Sequence, residues 1–243
     1  MFTATIIMQL VAAGKLDLNS KLDPYFPEIP HAKQITIGQL LKHHSGLTDQ
    51  KFQVWQQNGK GFSLTKKAEY ANVNYGLLSE IAQRVTKTSF ASLLQSGIIE
   101  PCQLKNTFYG PPPDSIHDEA KSYYYSSKWN LVEPGDLSSA AGAGAIISTP
   151  TDLNSFLFQL FSEKLTPPDA LSEMKRIADG YGSGMMQVYW GEKMAFSHAG
   201  QINGFQSRVV FFPEDNFSVS YCFNGVATSL DNIFEVLRIC FRG

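Results

Sequence analysis

The sequence predicts an α/β (α+β) fold, in which an antiparallel sheet is flanked by helices and adjoined by a mostly helical lobe. Three observations support this prediction. Amphipathic segments separated by polar loops dominate the first part of the chain. Strand-like runs joined by short turns follow, and one amphipathic helix closes the chain. Helices before an antiparallel meander, with a final helix after it, are typical of layered α/β domains.

Apolar residues at helical spacing predict where the helices lie. In the first segment, Met1–Gly14, they stand at Phe2, Ile6, Leu10 and Val11. Further helices are predicted over Ile37–Lys42 behind a Thr36 cap, Asn74–Val85, Phe90–Ile99, from the Ser148–Asp152 start signal to Phe161, and Ala170–Ile177.

The carboxy-terminal part carries the strand signals, with polar turn residues between apolar and aromatic runs. The predicted strands are Met185–Trp190, Met194–His198, Phe205–Phe212 and Phe217–Phe223, and the closing helix is predicted over Leu230–Phe241. Between the two parts, Phe108–Leu137 is rich in Pro, Tyr and Ser and has little periodicity. A stretch of this kind predicts a long loop that forms a lid or wall over a site.

The composition fits one substantial core and argues against two kinds of partner. The chain has 243 residues, 43% hydrophobic and 17% charged, enough for one large domain or two interleaved lobes. A formal net charge of −2 gives no electrostatic reason to expect nucleic acid. No apolar run approaches the roughly 20 residues that span a bilayer. Cys102, Cys222 and Cys240 lie far apart, which indicates core residues and no disulfide framework or metal site.

The segment Tyr70-Ala71-Asn72 is the first candidate for chemistry. Residues two apart in an extended loop project the same way, so Tyr70 and Asn72 can face one cavity. Tyrosine can act as a general base where cationic neighbours lower its pKa. The structural alternative is a loop tyrosine packed on the core beside an asparagine that caps the next helix.

The segment Phe196–Gly200, at the end of a predicted strand, is the second candidate. Alternation places Phe196 and His198 on one face, and the small Ala199-Gly200 pair lets a ligand approach the backbone. His198 can stabilise charge or hold a substrate carboxylate, and backbone N–H groups beyond it can form half of an oxyanion hole. The structural alternative is a strand-end histidine hydrogen-bonded to a neighbour.

The adjacent histidines His43 and His44 are the third candidate. A metal site is one hypothesis, but neighbouring residues on a helix point apart, and no carboxylate or cysteine stands nearby at ligand spacing. A structural turn explains the pair better. We therefore expect no metal and no cofactor.

Four segments together resemble the serine β-lactamase-related, penicillin-binding-protein-like family of class C β-lactamases, DD-peptidases and related esterases. Tyr70-Ala71-Asn72, inside EYANVNYGLLSEIAQRV, resembles the family's second signature. His198-Ala199-Gly200, followed by QINGF, resembles the third signature in its histidine form. QLLKHHSGL is similar to the family stretch LLTHTSGL, and AAGAGAIISTPTDLNSFL to its small-residue segment and following helix. The four segments keep the family's order and span essentially the whole chain.

The resemblance implies a β-lactamase/transpeptidase-like fold and acyl transfer on an amide or ester. The serine of a Ser-x-x-Lys motif forms an acyl-enzyme, which water then hydrolyses. Tyr70 would be the partner base or acid, and Asn72 would contact the substrate amide. His198 would replace the third-signature lysine, Gly200 would lie against the substrate, and the N–H of Gln201 would serve the oxyanion hole. The implied partner is a small molecule or peptide.

The resemblance also indicates where the nucleophile belongs. In the family, Ser-x-x-Lys starts a helix that continues x-F-T-A-x-x-I-x-x-L, similar to MFTATIIMQL at Met1–Leu10. The lysine would then stand immediately before Met1 and the serine three residues earlier. Two other Ser-x-x-Lys strings, Ser63–Lys66 and Ser172–Lys175, carry little weight because roughly one match is expected by chance. We therefore expect no nucleophile in the chain and no activity from it as written.

We expect a single domain over residues 1–243, incomplete at its amino end and lacking its first strands. Its helical lobe is expected at residues 20–145, inserted into a sheet part formed by residues 1–20 and 146–243. The resemblance implies export, although the sequence shows no signal peptide. Substrate and oligomeric state stay open. The alternatives are an active serine hydrolase read from an internal Met, a truncated non-catalytic homologue that acts as a binding module, and a metal-dependent hydrolase using His43 and His44.

Overall fold

A computed structural model of the chain describes residues 1–50, 67–110, 119–133, 135 and 137–240. The helices are Phe2–Ala12 (α1), Ile37–Leu41 (α2), Asn72–Thr86 (α3), Phe90–Leu94 (α4), Ala141–Gly144 (α5), Pro150–Phe161 (α6), Pro168–Lys175 (α7) and Leu230–Cys240 (α8). The strands are Phe108–Tyr109 (β1), Tyr123–Ser126 (β2), Lys128–Leu131 (β3), Ile146–Ile147 (β4), Met186–Trp190 (β5), Lys193–Ile202 (β6), Phe205–Phe212 (β7), Phe217–Phe223 (β8) and Gly225–Val226 (β9).

The predicted helices are confirmed, and polar side chains explain where several of them begin. The Thr36 hydroxyl accepts a hydrogen bond from the Gln39 amide as part of a capping box that starts α2. The Thr149 hydroxyl accepts a hydrogen bond from the Asp152 amide and so caps the start of α6. α3 begins two residues earlier than predicted, at Asn72. The helix predicted from Phe90 is α-helical over α4 and then continues as a π-helical turn.

Among the described residues, the main sheet has four antiparallel strands in the order β5-β6-β7-β8, which confirms the predicted meander. One boundary was wrong: β6 does not end at His198 but continues to Ile202. The reason is the Asn203-Gly204 turn, where both residues have positive φ. Such a pair suits a two-residue type I′ turn, which here pairs Ile202 directly with Phe205.

The stretch Phe108–Leu137 is a second correction, because part of the predicted loop is sheet. β2 and β3 form a hairpin around Ser127, and β2 also pairs with β9. Both faces of the hairpin are largely exposed, so its sequence lacks the alternation that marks a half-buried strand. Residues 111–118 of this stretch lie outside the described residues.

The main core surrounds α1. Its residues from Thr3 to Met8 are all buried, on every side of the helix, as expected for a helix enclosed by protein. The Phe2 ring stacks on Phe156 of α6, with 4.0 Å between ring centroids. α6 packs in turn on the sheet, where the rings of Phe161 and Phe211 stack at 4.1 Å. α1 therefore connects the helical elements to the layer beneath the sheet.

A smaller cluster on the opposite face of the sheet joins β6 and β7 to Phe234 of α8. Of the predicted core cysteines, Cys102 is buried, but Cys222 is exposed because it lies on the wall of an open cleft. The Cys240 side chain lies outside the described part of the chain. In that part, no helix is long and apolar enough to cross a membrane.

Candidate active site

An open cleft of about 2200 Å³ lies between the main sheet and the start of α3. The five residues to which the family resemblance gives roles all line it: Tyr70, Asn72, His198, Gly200 and Gln201. Met1 and Phe2, at the amino end of α1, line the same space, as do Leu131 and Val132 of the hairpin stretch. Segments far apart in sequence therefore meet at one site, and the aperiodic stretch forms part of its wall as predicted.

Tyr70 and Asn72 face one space, as their spacing predicts. The Tyr70 hydroxyl donates a hydrogen bond to Asn72 Oδ1 at 3.4 Å. Ala71 between them is extended, with φ −150° and ψ 126°, and α3 begins directly after it. Tyr70 keeps 42% of its surface exposed, so it is a wall residue of the cleft and does not fill the core.

Asp49 belongs to the same end of the cleft, although no motif pointed to it. Its Oδ1 accepts from the Val73 amide at 2.8 Å, and its Oδ2 accepts from the Asn72 amide at 3.1 Å and from Asn72 Nδ2 at 3.2 Å. The N-cap residue of α3 makes no side-chain hydrogen bond of its own, so Asp49 caps this helix from another part of the chain. Local spacing could not reveal a partner 23 residues away.

The neighbours of Tyr70 keep its phenol protonated. Burial raises the pKa of Tyr70, and the Asp49 carboxylate and the Tyr181 phenol raise it further. Its ring lies 4.4 Å from that of His43 and 6.2 Å from that of Tyr181. The condition under which a tyrosine acts as a base, a cationic neighbour that lowers its pKa, is therefore not met by Asp49 or Tyr181.

His198 lies on β6 and shares a face with Phe196, as alternation predicts. The Phe196 ring packs against Phe161 beneath the sheet, whereas His198 faces the cleft. Burial lowers the pKa of His198 to about 3, so the imidazole is neutral at pH 7 and offers hydrogen bonds without a positive charge. Gly200 leaves the backbone open, because the nearest atom to where a Cβ would stand is Ser207 Oγ at 3.8 Å.

The backbone of Gln201 has a free side. The pair Ile202–Phe205 closes the two-residue turn and exchanges hydrogen bonds, so the next pair, Gln201–Gln206, belongs to the non-hydrogen-bonded kind. The Gln201 N–H therefore points away from β7. On that side the pairing of β6 with β5 ends at Ser197. This geometry leaves the N–H directed at the cleft, as an oxyanion-hole donor must be.

His43 and His44 point apart, as expected for a structural turn. His43 is buried, and its Nδ1 accepts a hydrogen bond from the Ala71 amide at 3.2 Å. His44 Nε2 lies 3.6 Å from an oxygen of Asp179. Over the part of the chain that the structure describes, no three His, Cys, Asp or Glu side chains cluster as metal ligands.

Neither Ser-x-x-Lys string contributes to the described wall of the cleft. Ser172 is exposed on α7 and does not line the cleft. The segment Ser63–Lys66 lies outside the described residues. The described lining of the cleft therefore includes neither Ser-x-x-Lys string.

The architecture and the cleft define a protein of the β-lactamase/transpeptidase-like fold. Residues 1–235 match the model of the Beta-lactamase family, and the chain belongs to this family. The D-amino acid amidase from Ochrobactrum anthropi SV3, solved with L-phenylalanine amide, superposes with a TM-score of 0.85 at 26% identity, covering 98% of this chain and 79% of the amidase. A D-stereospecific amidohydrolase from Streptomyces sp. reaches a TM-score of 0.84 at 23% identity, covering 100% of this chain and 84% of the other, and supports the fold alone.

One sequence relative is the teichoic acid D-alanine hydrolase of Staphylococcus aureus. It is 30% identical over 184 residues, which cover 68% of this chain. The match covers 46% of the relative, so the aligned chain spans less than half the length of that protein.

Proposed function

We propose that the cleft is the acyl-transfer site of a serine hydrolase that acts on an amide or ester bond. The observation that carries the proposal is the meeting of Tyr70, Asn72 and the free N–H of Gln201 around one cleft at the amino end of α1. Family membership and the hydrolase relatives support the same reaction class.

Each group has a role that its geometry allows. The protonated Tyr70 hydroxyl exchanges a proton with the nucleophile or leaving group. Asp49 holds the Asn72 amide, whose remaining N–H is available to the substrate. The Gln201 N–H stabilises the oxyanion. Neutral His198 donates or accepts a hydrogen bond at the polar end of the substrate.

The nucleophile we propose is the serine of a Ser-x-x-Lys turn placed directly before Met1. Gly184, with φ 74°, allows Met1 a close approach: a Cβ there would lie 3.1 Å from Met1 Cα. A serine and lysine on this turn would enter the cleft beside Met1 and Phe2. The lysine ammonium would also lower the pKa of Tyr70, which the described neighbours raise. The arrangement as a single domain with an inserted helical lobe over residues 20–145 stays a prediction.

The substrate class that we propose is a D-amino acid amide or ester. This proposal is supported by the similarity of the chain to a teichoic acid D-alanine hydrolase and to a D-amino acid amidase. The test is hydrolysis of D- and L-phenylalanine amide by a chain lengthened with Ser-x-x-Lys before Met1. We expect at least tenfold preference for the D-amide and no turnover after Ser→Ala at the added serine. Equal rates would contradict the substrate class, and binding without turnover would favour the binding-module alternative.

A further inference from the structure

His43 contacts three consecutive residues, Glu69, Tyr70 and Ala71, through three groups that the proposed reaction does not use. Its carbonyl oxygen accepts a hydrogen bond from the Glu69 amide at 2.9 Å, and its Nδ1 accepts one from the Ala71 amide at 3.2 Å. Its ring packs on the Tyr70 ring. We propose that His43 is a positioning residue that fixes the Tyr70 hydroxyl in the cleft; the catalytic meaning of this role rests on the proposed function.

The two hydrogen bonds act on alternate residues of an extended segment. Alternate amides of such a segment point to the same side. His43 accepts hydrogen bonds from both amides and therefore controls the path of the chain on either side of Tyr70. His43 has a φ of 57°, a left-handed conformation that is uncommon outside glycine. Backbone conformations of this kind persist where surrounding contacts hold them. The contacts to Glu69, Ala71 and Tyr70 are such contacts.

Buried groups beneath the imidazole hold it in place. Asn74 Nδ2 lies 3.3 Å from His43 Nδ1, and Asn74 Oδ1 accepts from the Ser45 hydroxyl at 2.7 Å. The Tyr75 ring also stacks on the His43 ring, with 5.2 Å between ring centroids. An Nδ1 that accepts from amide groups belongs to a neutral ring with its proton on Nε2. The network therefore fixes the ring orientation as well as its charge.

The simpler alternative is a histidine that fills core space, and two variants separate the two roles. His43→Phe keeps an aromatic ring against Tyr70 but removes the acceptor for Ala71. His43→Asn keeps an acceptor near the Nδ1 position and tolerates a positive φ, but it removes the ring. If His43 only filled space, His43→Phe would not act on Ala71 alone and His43→Asn would not act on Tyr70 alone.

The experiment measures Ala71 amide exchange and the ¹⁹F resonance of Tyr70 in the 3-fluorotyrosine-labelled 243-residue chain, with Tyr70→Phe assigning that resonance. We expect His43→Phe to speed Ala71 exchange at least about fivefold, as for the loss of one hydrogen bond. We expect His43→Asn to keep exchange within about twofold of wild type while shifting the Tyr70 resonance. Val210, in the buried sheet, is the control for global unfolding.

Unchanged Ala71 exchange in His43→Phe, with Val210 still protected, would overturn the proposal. If the His43→Phe protein does not fold, the His43→Asn protein provides the test. An unshifted Tyr70 resonance in His43→Asn would then overturn the proposal. These readouts need no catalysis. In the lengthened chain, the proposal further expects His43→Phe to slow acylation at least tenfold and His43→Asn to restore part of the rate. A lengthened wild-type chain that takes no acyl group would count against the proposed function and leave the positioning test intact.

Discussion

At the scale of single residues, Tyr70, His43 and His198 share one property, which is that each is uncharged at neutral pH. Burial raises the pKa of the Tyr70 phenol and lowers the pKa values of His198, in the cleft, and of His43, which is buried beside Tyr70. The Asp49 carboxylate beside Tyr70 adds negative charge. Acyl transfer with Tyr70 as base needs a cation to stabilise the phenolate. The proposed reaction would therefore need a cation beside Tyr70, such as the lysine of the proposed Ser-x-x-Lys turn.

A first prediction follows from the buried histidine beneath Tyr70. Burial lowers the pKa of His43 to about 4, below its value of about 6.5 in an unfolded chain. Between these values the unfolded chain binds a proton that the folded chain does not, so this stabilisation is complete above pH 6.5 and is lost as the pH falls towards 4. From pH 7 to pH 5 we expect the free energy of unfolding to fall by about 2 kcal/mol more in wild type than in His43→Phe.

Urea titrations at constant ionic strength measure this difference. His31→Phe changes an exposed histidine and is the matched control, which should follow wild type. Equal pH dependence in wild type and His43→Phe would contradict a neutral buried His43.

The site residues could be predicted from sequence only where their orientation depends on residues close to them in the chain. The two-residue spacing of Tyr70 and Asn72 and the alternation of Phe196 and His198 were enough to place these side chains. Asp49 could not be found in this way, because its contacts with α3 arise from tertiary folding. The raised pKa of Tyr70 likewise depends on burial and on neighbours that no motif contains.

Among the elements, α3 depends on a cap from outside the helix. Removing a side-chain cap typically destabilises a protein by about 1 kcal/mol. We therefore expect Asp49→Ala to lower the free energy of unfolding by about 1–2 kcal/mol, since three N–H groups lose their acceptor. Asp49→Asn, which keeps one acceptor oxygen, should lose about half as much.

Chemical denaturation of these variants is compared with Glu28→Ala, which removes an exposed carboxylate. That control should stay within about 0.5 kcal/mol of wild type. An Asp49→Ala protein as stable as the control would show that α3 does not depend on this cap.

α6 offers a second prediction, because two phenylalanines on one helix have different surroundings. Phe156 is 1% exposed and stacks on α1, whereas Phe158 is 36% exposed. We expect Phe156→Ala to lower the free energy of unfolding by about 3–5 kcal/mol and Phe158→Ala by about 1 kcal/mol. Urea unfolding monitored by circular dichroism measures both. Similar losses in the two variants would contradict the central place of α1 and α6 in the core.

Helices and strands could be predicted where neighbouring residues in the sequence supply a cap, a periodic apolar pattern or a turn. Thr36 and Thr149 marked helix starts correctly. The Tyr-rich hairpin of β2 and β3 was missed, because a ribbon exposed on both faces needs no apolar alternation. The end of β6 depends on the Asn203-Gly204 turn, whose two residues of positive φ carry the strand four residues beyond the predicted end at His198.

For the molecule as a whole, the order of helices, antiparallel meander and closing helix predicted the layered arrangement. Four motifs in order predicted the family, and the match over residues 1–235 and the superposed amidase confirm it. What periodicity could not show is that α1 is buried on all sides. That burial brings its amino end into the cleft, between the sheet and α3.

The most direct test of the central claim is peptide mapping after treatment with a serine-directed acyl fluorophosphonate. We predict no adduct on the 243-residue chain and one adduct on the added serine of a chain lengthened by Ser-x-x-Lys before Met1. Ser→Ala at that position should abolish the adduct, and Tyr70→Phe should slow its formation at least about 100-fold, the usual contribution of a general base. An adduct on Ser63 or Ser172, or none on the lengthened chain, would contradict the claim that this cleft serves a serine held at the start of α1.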